Sequence, residues 1–198
     1  MANPRDSSSI LAQLAARRSS YAFDREQPVA EGDQRALLEA ARLAPSWKNR
    51  EPWRLIVCDR FARPEAWQQL FTTLARAEQP WAYSVPLFVA VAVDFEGVEP
   101  EQRFRAAFDA GGAALQICLE AGARGLATQT TSAFDEARLR SCLGLPEQVS
   151  CVALVCVGHR ADLGTLGRDV YRREIAPRAR AALATRCFQG YWGKPFGS

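Results

Sequence analysis

The hydrophobic positions of this chain fall into two periods, one helical and one strand-like. Ile10, Leu11 and Leu14 share a helical face behind the candidate caps Ser7, Ser8 and Ser9, which predicts a helix ending near Arg17-Arg18. Leu37, Ala41 and Ala44, widened by Leu38, predict a second helix over residues 31 to 44. Trp67, Leu70, Phe71 and Leu74 predict a third over residues 64 to 77, and Pro80-Trp81-Ala82-Tyr83 breaks that pattern. The longest helix is expected over residues 101 to 123, with Phe104, Phe108, Gly111, Leu115, Cys118 and Gly122 on one stripe. A glycine inside a helix costs about 1 kcal/mol relative to alanine, so Gly111-Gly112 implies close approach by another backbone. So long and apolar a helix is also a candidate dimer face.

Strands are predicted at Trp53-Arg54-Leu55-Ile56-Val57-Cys58, over residues 85 to 93, over 126 to 131 and over 149 to 158. Ser132-Ala133-Phe134-Asp135 has capping-box form, S-x-x-D, and predicts a helix running to about Leu143. Its first N–H groups serve either as an ordinary cap or as donors to a ligand atom that gains negative charge. Four strong strands alternate irregularly with long helices. The pattern is α+β, a single domain rather than a doubly wound sheet.

Between the second helix and the first strand lies a polar loop pinned by Pro45 and Pro52, carrying Ser46, Trp47, Lys48, Asn49, Arg50 and Glu51. Proline disfavours helix at the residue before it, so the helix must stop here. The loop is either a plain helix-to-strand turn or a binding loop on a rigid scaffold.

Composition narrows the chemistry. Charged residues make up 24% and the net charge is only +3, spread without a basic block, which argues against a nucleic-acid groove. Lys48 and Lys194 are the only lysines, so nearly all positive charge is arginine, the residue suited to bidentate contacts with phosphate and carboxylate. No apolar run approaches the roughly 18 residues of a membrane span. The start, Met1-Ala2-Asn3-Pro4-Arg5-Asp6, lacks the layout of a signal peptide, which gives a cytoplasmic expectation. The six cysteines show no paired metal spacing, and Cys151 and Cys156 are expected on opposite faces of their strand. The single histidine, His159, has no nucleophile elbow to serve, so neither a structural metal nor a hydrolytic triad is expected. Arg17-Arg18-Ser19-Ser20 either neutralises a helix C-terminus or forms an anion site. From Arg160 onward the chain is rich in arginine and glycine. Its closing aromatic stretch, Cys187 to Phe196, has no helical stripe and is hard to bury on its own domain.

Together these segments resemble the FMN-dependent nitroreductase family along almost the whole chain. Arg17-Arg18-Ser19-Ser20-Tyr21-Ala22-Phe23 looks like its opening R-R-S-x-R-x-F. Leu38 to Trp53 looks like L-E-A-A-x-x-A-P-S-x-x-N-x-Q-P-W. Gly125-Leu126-Ala127-Thr128 with Phe134-Asp135 resembles G-L-A-T…F-D. Ala176-Pro177-Arg178-Ala179-Arg180 with Trp192-Gly193-Lys194-Pro195-Phe196 resembles A-P-R-x-R…W-G-x-P-F.

The resemblance implies an intertwined homodimer of α+β subunits, a central mainly antiparallel sheet flanked by helices, and two FMN sites at the interface. Residues 176 to 198 would wrap the partner subunit. Arg17, Arg18, Ser19, Arg178 and Arg180 would serve the phosphate end, and Tyr21 the flavin's pyrimidine edge. Pro45, Ser46, Trp47 and Asn49 would reach the flavin from the other subunit. Backbone N–H groups at Thr131, Ser132 and Ala133 would face the ring nitrogen that accepts hydride. The chain departs from the family pattern in four places: Tyr21 stands where a basic residue is usual, Glu51 where glutamine is usual, Glu78 where asparagine is frequent, and Gln129-Thr130-Thr131-Ser132-Ala133 is more polar than the usual stretch. The implied activity is NAD(P)H-driven reduction of nitroaromatic, quinone or related small acceptors by a ping-pong mechanism. A flavin-dependent dehydrogenase or oxidase of a natural-product or peptide-like substrate, and a low-turnover FMN storage or sensing protein, are the alternatives.

Overall fold

The computed structural model describes residues 10 to 196. The serine caps at positions 7 to 9 therefore lie outside the described residues. What is described of the first helix is one short piece, α1 (Ala12–Ala16). Then follow α2 (Glu31–Arg42), β1 (Trp53–Asp59), α3 (Pro64–Thr73), α4 (Gln79–Ala82), β2 (Leu87–Asp94), α5 (Arg103–Ala123), β3 (Ala127–Thr131), α6 (Glu136–Leu143), β4 (Val149–Gly158) and α7 (Arg168–Ile175). The strands form one antiparallel sheet in the order β1-β2-β4-β3.

Strand β2 is the centre, and its continuous apolar run is explained by burial on both faces. Leu87, Val89, Val91 and Val93 pack with Leu37 and Ala41 of α2 and Ala110, Ala113 and Ile117 of α5. Phe88 and Ala90 point the other way, onto Trp67 and Leu70 of α3, Trp81 of α4 and Leu139 of α6. Trp67, fully buried, donates its indole N–H to the Val85 carbonyl (3.0 Å), so its one polar group is satisfied. No helix among the described residues is long and apolar enough to cross a membrane.

Several details depart from the pattern in the sequence. Helix α3 stops at Thr73, because Ala75 donates to the Ala133 carbonyl and Asp135 to the Thr73 carbonyl (both 2.8 Å). That pairing keeps residues 133 to 135 extended, so Ser132 is not the cap of α6. Asp135 is, accepting from the Arg138 N–H (3.1 Å). The stretch at Trp81 is a single helical turn rather than a break, and α7 has no counterpart in the hydrophobic pattern. Cys151 and Cys156 share a face: Val91 pairs with Ala153 but Ala92 pairs with Cys151, so Val152 is an extra residue that reverses the alternation. Finally, a Cβ added at Gly111 or Gly112 would meet nothing within 4 Å, so no backbone of the described residues approaches there beyond the helix's own. The buried side of α5 is instead its alanine face, Ala106, Ala110, Ala113, Ala114 and Ala121 with Ile117. Of the expected stripe, Phe104 and Phe108 stand 66% and 80% exposed.

Candidate functional site

The arginine end is built where α1 gives way to an extended segment beside β3. Ser19 bridges Thr128 in parallel, and the Ser20 N–H donates to the Thr128 carbonyl (2.8 Å), which covers part of the exposed edge of β3. A cavity of about 200 Å³ opens between these elements and α5. Arg17, Arg18, Arg160, Cys118, Gly122 and Thr128 are among its walls, and no acidic residue among the described ones lines it.

Behind the cavity sits Glu174 of α7, only 2% exposed, which sequence reasoning did not single out. One carboxylate oxygen accepts from the Tyr21 N–H (2.7 Å) and the Ser20 hydroxyl (3.0 Å). The other lies 3.8 Å from Arg18 and 3.5 Å from Arg160. Arg18 also donates to the Glu174 backbone carbonyl. A buried carboxylate needs partners of this kind, because desolvating an unpaired charge costs several kcal/mol. A lone glutamate amid arginines, in Tyr171-Arg172-Arg173-Glu174, was the only signal available in the sequence.

The predicted C-terminal arginines are placed unequally. Arg178 donates to the backbone carbonyls of Ala15 (2.8 Å) and Arg17, tying the tail to α1. Arg180 is exposed and donates to its neighbour Ala179 (2.8 Å).

Tyr21 lies in a second cluster. Its ring meets Trp81 edge-on at 5.4 Å and lies beneath the Arg173 guanidinium, also at 5.4 Å. Glu78 accepts from the Trp81 indole (3.2 Å) and pairs with Arg173 (3.8 Å). Two residues singled out as departures, Tyr21 and Glu78, are thus joined through Trp81 and Arg173. On β3, Thr131 is buried and its hydroxyl accepts from the Ala133 N–H (3.1 Å), while Ser132 and Ala133 are exposed. Gln129, also buried, has a side-chain carbonyl with no partner among the described residues.

The loop between the prolines is held in an unusual shape. Lys48, Asn49 and Glu51 have φ of 52°, 54° and 46°, a left-handed conformation that costs non-glycine residues energy and concentrates at functional loops. Ser46 stabilises the turn by accepting from the Glu51 N–H (3.0 Å), and the Trp47 N–H donates to the buried Asp109 carboxylate of α5 (3.0 Å). Arg50 donates to the Glu96 and Gly97 carbonyls, while Pro45, Trp47 and Asn49 are exposed. The loop meets α5 at Asp109 and the cavity meets it at Cys118 and Gly122, about 14 to 20 Å further along at about 1.5 Å per residue. Within one chain, the structure therefore brings Arg17 and Arg18 to the cavity with Ser19 beside Thr128, sets the Tyr21 ring in the neighbouring cluster, and leaves Pro45, Ser46, Trp47 and Asn49 toward the other end of α5.

Burial lifts the thiols. Cys58 is raised to about 11 and Cys151 to about 12, and fully buried Cys156 is also raised well above the usual thiol range, all chiefly by desolvation. None is an activated nucleophile. No cluster of His, Cys, Asp and Glu among the described residues could hold a metal ion.

Comparison with known proteins accords with this layout. The chain is 34% identical over 134 residues to the uncharacterized 15.4 kDa protein in the ask 5′ region of Mycolicibacterium smegmatis, covering 66% of this chain and 90% of that one. It is 30% identical over 182 residues to an NADH dehydrogenase of Thermus thermophilus, covering 76% and 86%. Among solved structures, an oxidoreductase containing FMN superimposes with a TM-score of 0.84 at 25% identity, over 98% of this chain and 100% of that one. A protein of Desulfovibrio desulfuricans solved in complex with FMN gives 0.68 at 24% identity, over 85% and 92%. The family model described as the nitroreductase family matches residues 14–159, and with the α+β fold and the arginine cavity in place, the chain belongs to the nitroreductase family.

Proposed function

We propose that this protein is an FMN-dependent oxidoreductase, driven by NADH or NADPH, that reduces nitroaromatic, quinone or related small conjugated acceptors. The observation that carries the reading is the cavity walled by Arg17, Arg18 and Arg160 with no acidic lining. Guanidinium groups in such a set fit a phosphate monoester, and neutral Thr128 and Ser19 beside them suit a polyol chain. Arg17, Arg18 and Ser19 would hold the phosphate, Arg178 and Arg180 would close over it, and Tyr21 would meet the far end of the cofactor. When bound, FMN supplies the two-electron chemistry. The chain's own part is to orient, to exclude water and to offer a donor at Ser132, the Ala133 N–H expected beside it being already engaged by the Thr131 hydroxyl (3.1 Å). The loop of residues 45 to 49 would complete the site from a second copy, a reading supported by its separation along α5 from the cavity of its own chain. Residues 176 to 196 and the exposed Phe104 and Phe108 would be covered in that dimer.

The test is direct. Purified protein is expected to bind FMN far more tightly than FAD, and NADH or NADPH should bleach it anaerobically with ping-pong kinetics toward a quinone. Flavin-loaded protein that neither nucleotide reduces would overturn the reductase reading, and oxygen uptake without nucleotide would mark an oxidase instead.

A further inference from the structure

Arg160 was not singled out in the sequence, yet the fold fixes it with care. It follows β4 directly, and its backbone bridges Phe23 in antiparallel register, with the Asp24 N–H donating to the His159 carbonyl (2.8 Å) and the Ala161 N–H to the Ala22 carbonyl (3.3 Å). This small ladder carries the residue from the end of β4 to the cavity wall. There its guanidinium stands 3.5 Å from the buried carboxylate of Glu174, and the Glu174 oxygen that it faces has no hydrogen-bond partner among the described residues.

The partition of donors separates Arg160 from the other arginines of this region. Arg178 has two donors committed to the backbone of α1, Arg180 donates to Ala179, and Arg18 donates to the Glu174 carbonyl. Arg17 and Arg160 line the cavity, and neither guanidinium donates a hydrogen bond to the described residues. Glu174 is close enough to fix Arg160 electrostatically but spends its hydrogen-bonding oxygen on Ser20 and Tyr21. Three guanidinium groups against one carboxylate leave two positive charges in excess around a space with no acidic wall, which suits a dianion.

We propose that Arg160 is a phosphate-binding residue and that Glu174 is the positioning residue that holds it at the cavity. The proposal rests on the flavin reading in one respect only: the phosphate monoester concerned is that of FMN. Glu174 touches no ligand in this arrangement; it acts through Arg160 and Arg18.

The experiment compares wild type, Arg160→Gln and Arg160→Lys, each stripped of flavin, by fluorescence titration with FMN and with riboflavin, and by calorimetry with inorganic phosphate. Arg160 is nearly half exposed, so both variants should fold, and circular dichroism checks this. Arg160→Gln is expected to weaken FMN about ten-fold or more, with riboflavin unchanged within about two-fold and phosphate binding lost in step. Arg160→Lys should recover part of the FMN affinity, since it restores charge without the bidentate fork. Equal FMN and phosphate affinities in wild type and Arg160→Gln would overturn the proposal. Wild type that binds phosphate but neither flavin would instead overturn the flavin reading, and the phosphate arm alone would then decide Arg160. Wild type that binds none of the three would overturn both. A parallel loss for riboflavin and FMN would assign Arg160 a structural role and count against it equally.

Discussion

Glu174→Ala is expected to be the most damaging conservative-sized truncation outside the two apolar cores. The carboxylate is 2% exposed and accepts hydrogen bonds from the Tyr21 N–H at 2.7 Å and the Ser20 hydroxyl at 3.0 Å. Hydrogen bonds to a charged acceptor contribute about 1.5–3 kcal/mol each, so the pair accounts for about 3–6 kcal/mol. The ion pairs add little, because Arg18 and Arg160 are 38% and 47% exposed and solvent screens them to about 0–1 kcal/mol each. Water from the adjoining cavity will satisfy part of what is freed, which brings the loss to about 3–5 kcal/mol, in line with broken buried pairs. At about 2–4 °C per kcal/mol for a chain of this size, the melting temperature should fall by about 6–20 °C. Glu174→Gln keeps an acceptor oxygen and should lose about half as much. Urea unfolding followed by far-ultraviolet circular dichroism, repeated at several protein concentrations, measures both. A Glu174→Ala variant within about 1 kcal/mol of wild type would refute the argument that this carboxylate anchors α7 to the segment of Ser20 and Tyr21.

Four further outcomes are expected. Gly158→Ala would place a Cβ 2.6 Å from ring carbons of Pro86 and 3.1 Å from Phe23, and should destabilise by at least the 1–3 kcal/mol typical of overpacking, read by the same unfolding assay. Thiols raised to about 11 and about 12 at Cys58 and Cys151 stay protonated in the fold while an unfolded thiol ionises near 9.0. Their stabilising contribution is therefore complete below pH 9 and declines as pH rises from 9 through 11 to 12, which alkaline unfolding of Cys→Ser variants would show. With Arg173 stacked on Tyr21 and paired to Glu78, Arg173→Ala should lower the flavin midpoint potential and Tyr21→Arg should raise it in a redox titration; no change in either would separate this cluster from the flavin. Deletion from Thr185 onward should give aggregated or flavin-free protein, and a stable flavin-loaded monomer by light scattering would contradict the dimer.

The sheet could be read from the chain because β2 and β4 are almost wholly apolar, and few structures accommodate such runs except strands covered on both sides. Glycine and proline marked most element ends for local reasons. Two of the failures came from distant pairing. Thr73 and Asp135 lie far apart in sequence, and only their backbone hydrogen bond ends α3 early and moves the cap from Ser132 to Asp135. Val152 looks like any strand valine, and only the register against Val91 and Ala92 makes it a bulge. Helix α7 buries a single residue, and that residue is a glutamate, so hydrophobic periodicity could not reveal it. The arginine end was visible at Arg17 and Arg18 because charge clusters in sequence there, whereas Arg160 and Glu174 reach the same place from two other elements.

The length of α5 has a genetic consequence. If each site takes its arginines from one copy and its proline-bounded loop from the other, two differently damaged chains can rescue one another. Co-expressing a loop variant such as Asn49→Ala with a cavity variant such as Arg17→Ala would produce mixed dimers. In each, one site would inherit both lesions and the other neither. Activity would return to about half per mixed dimer although neither parent works alone, a complementation that a site contained within one chain could never display.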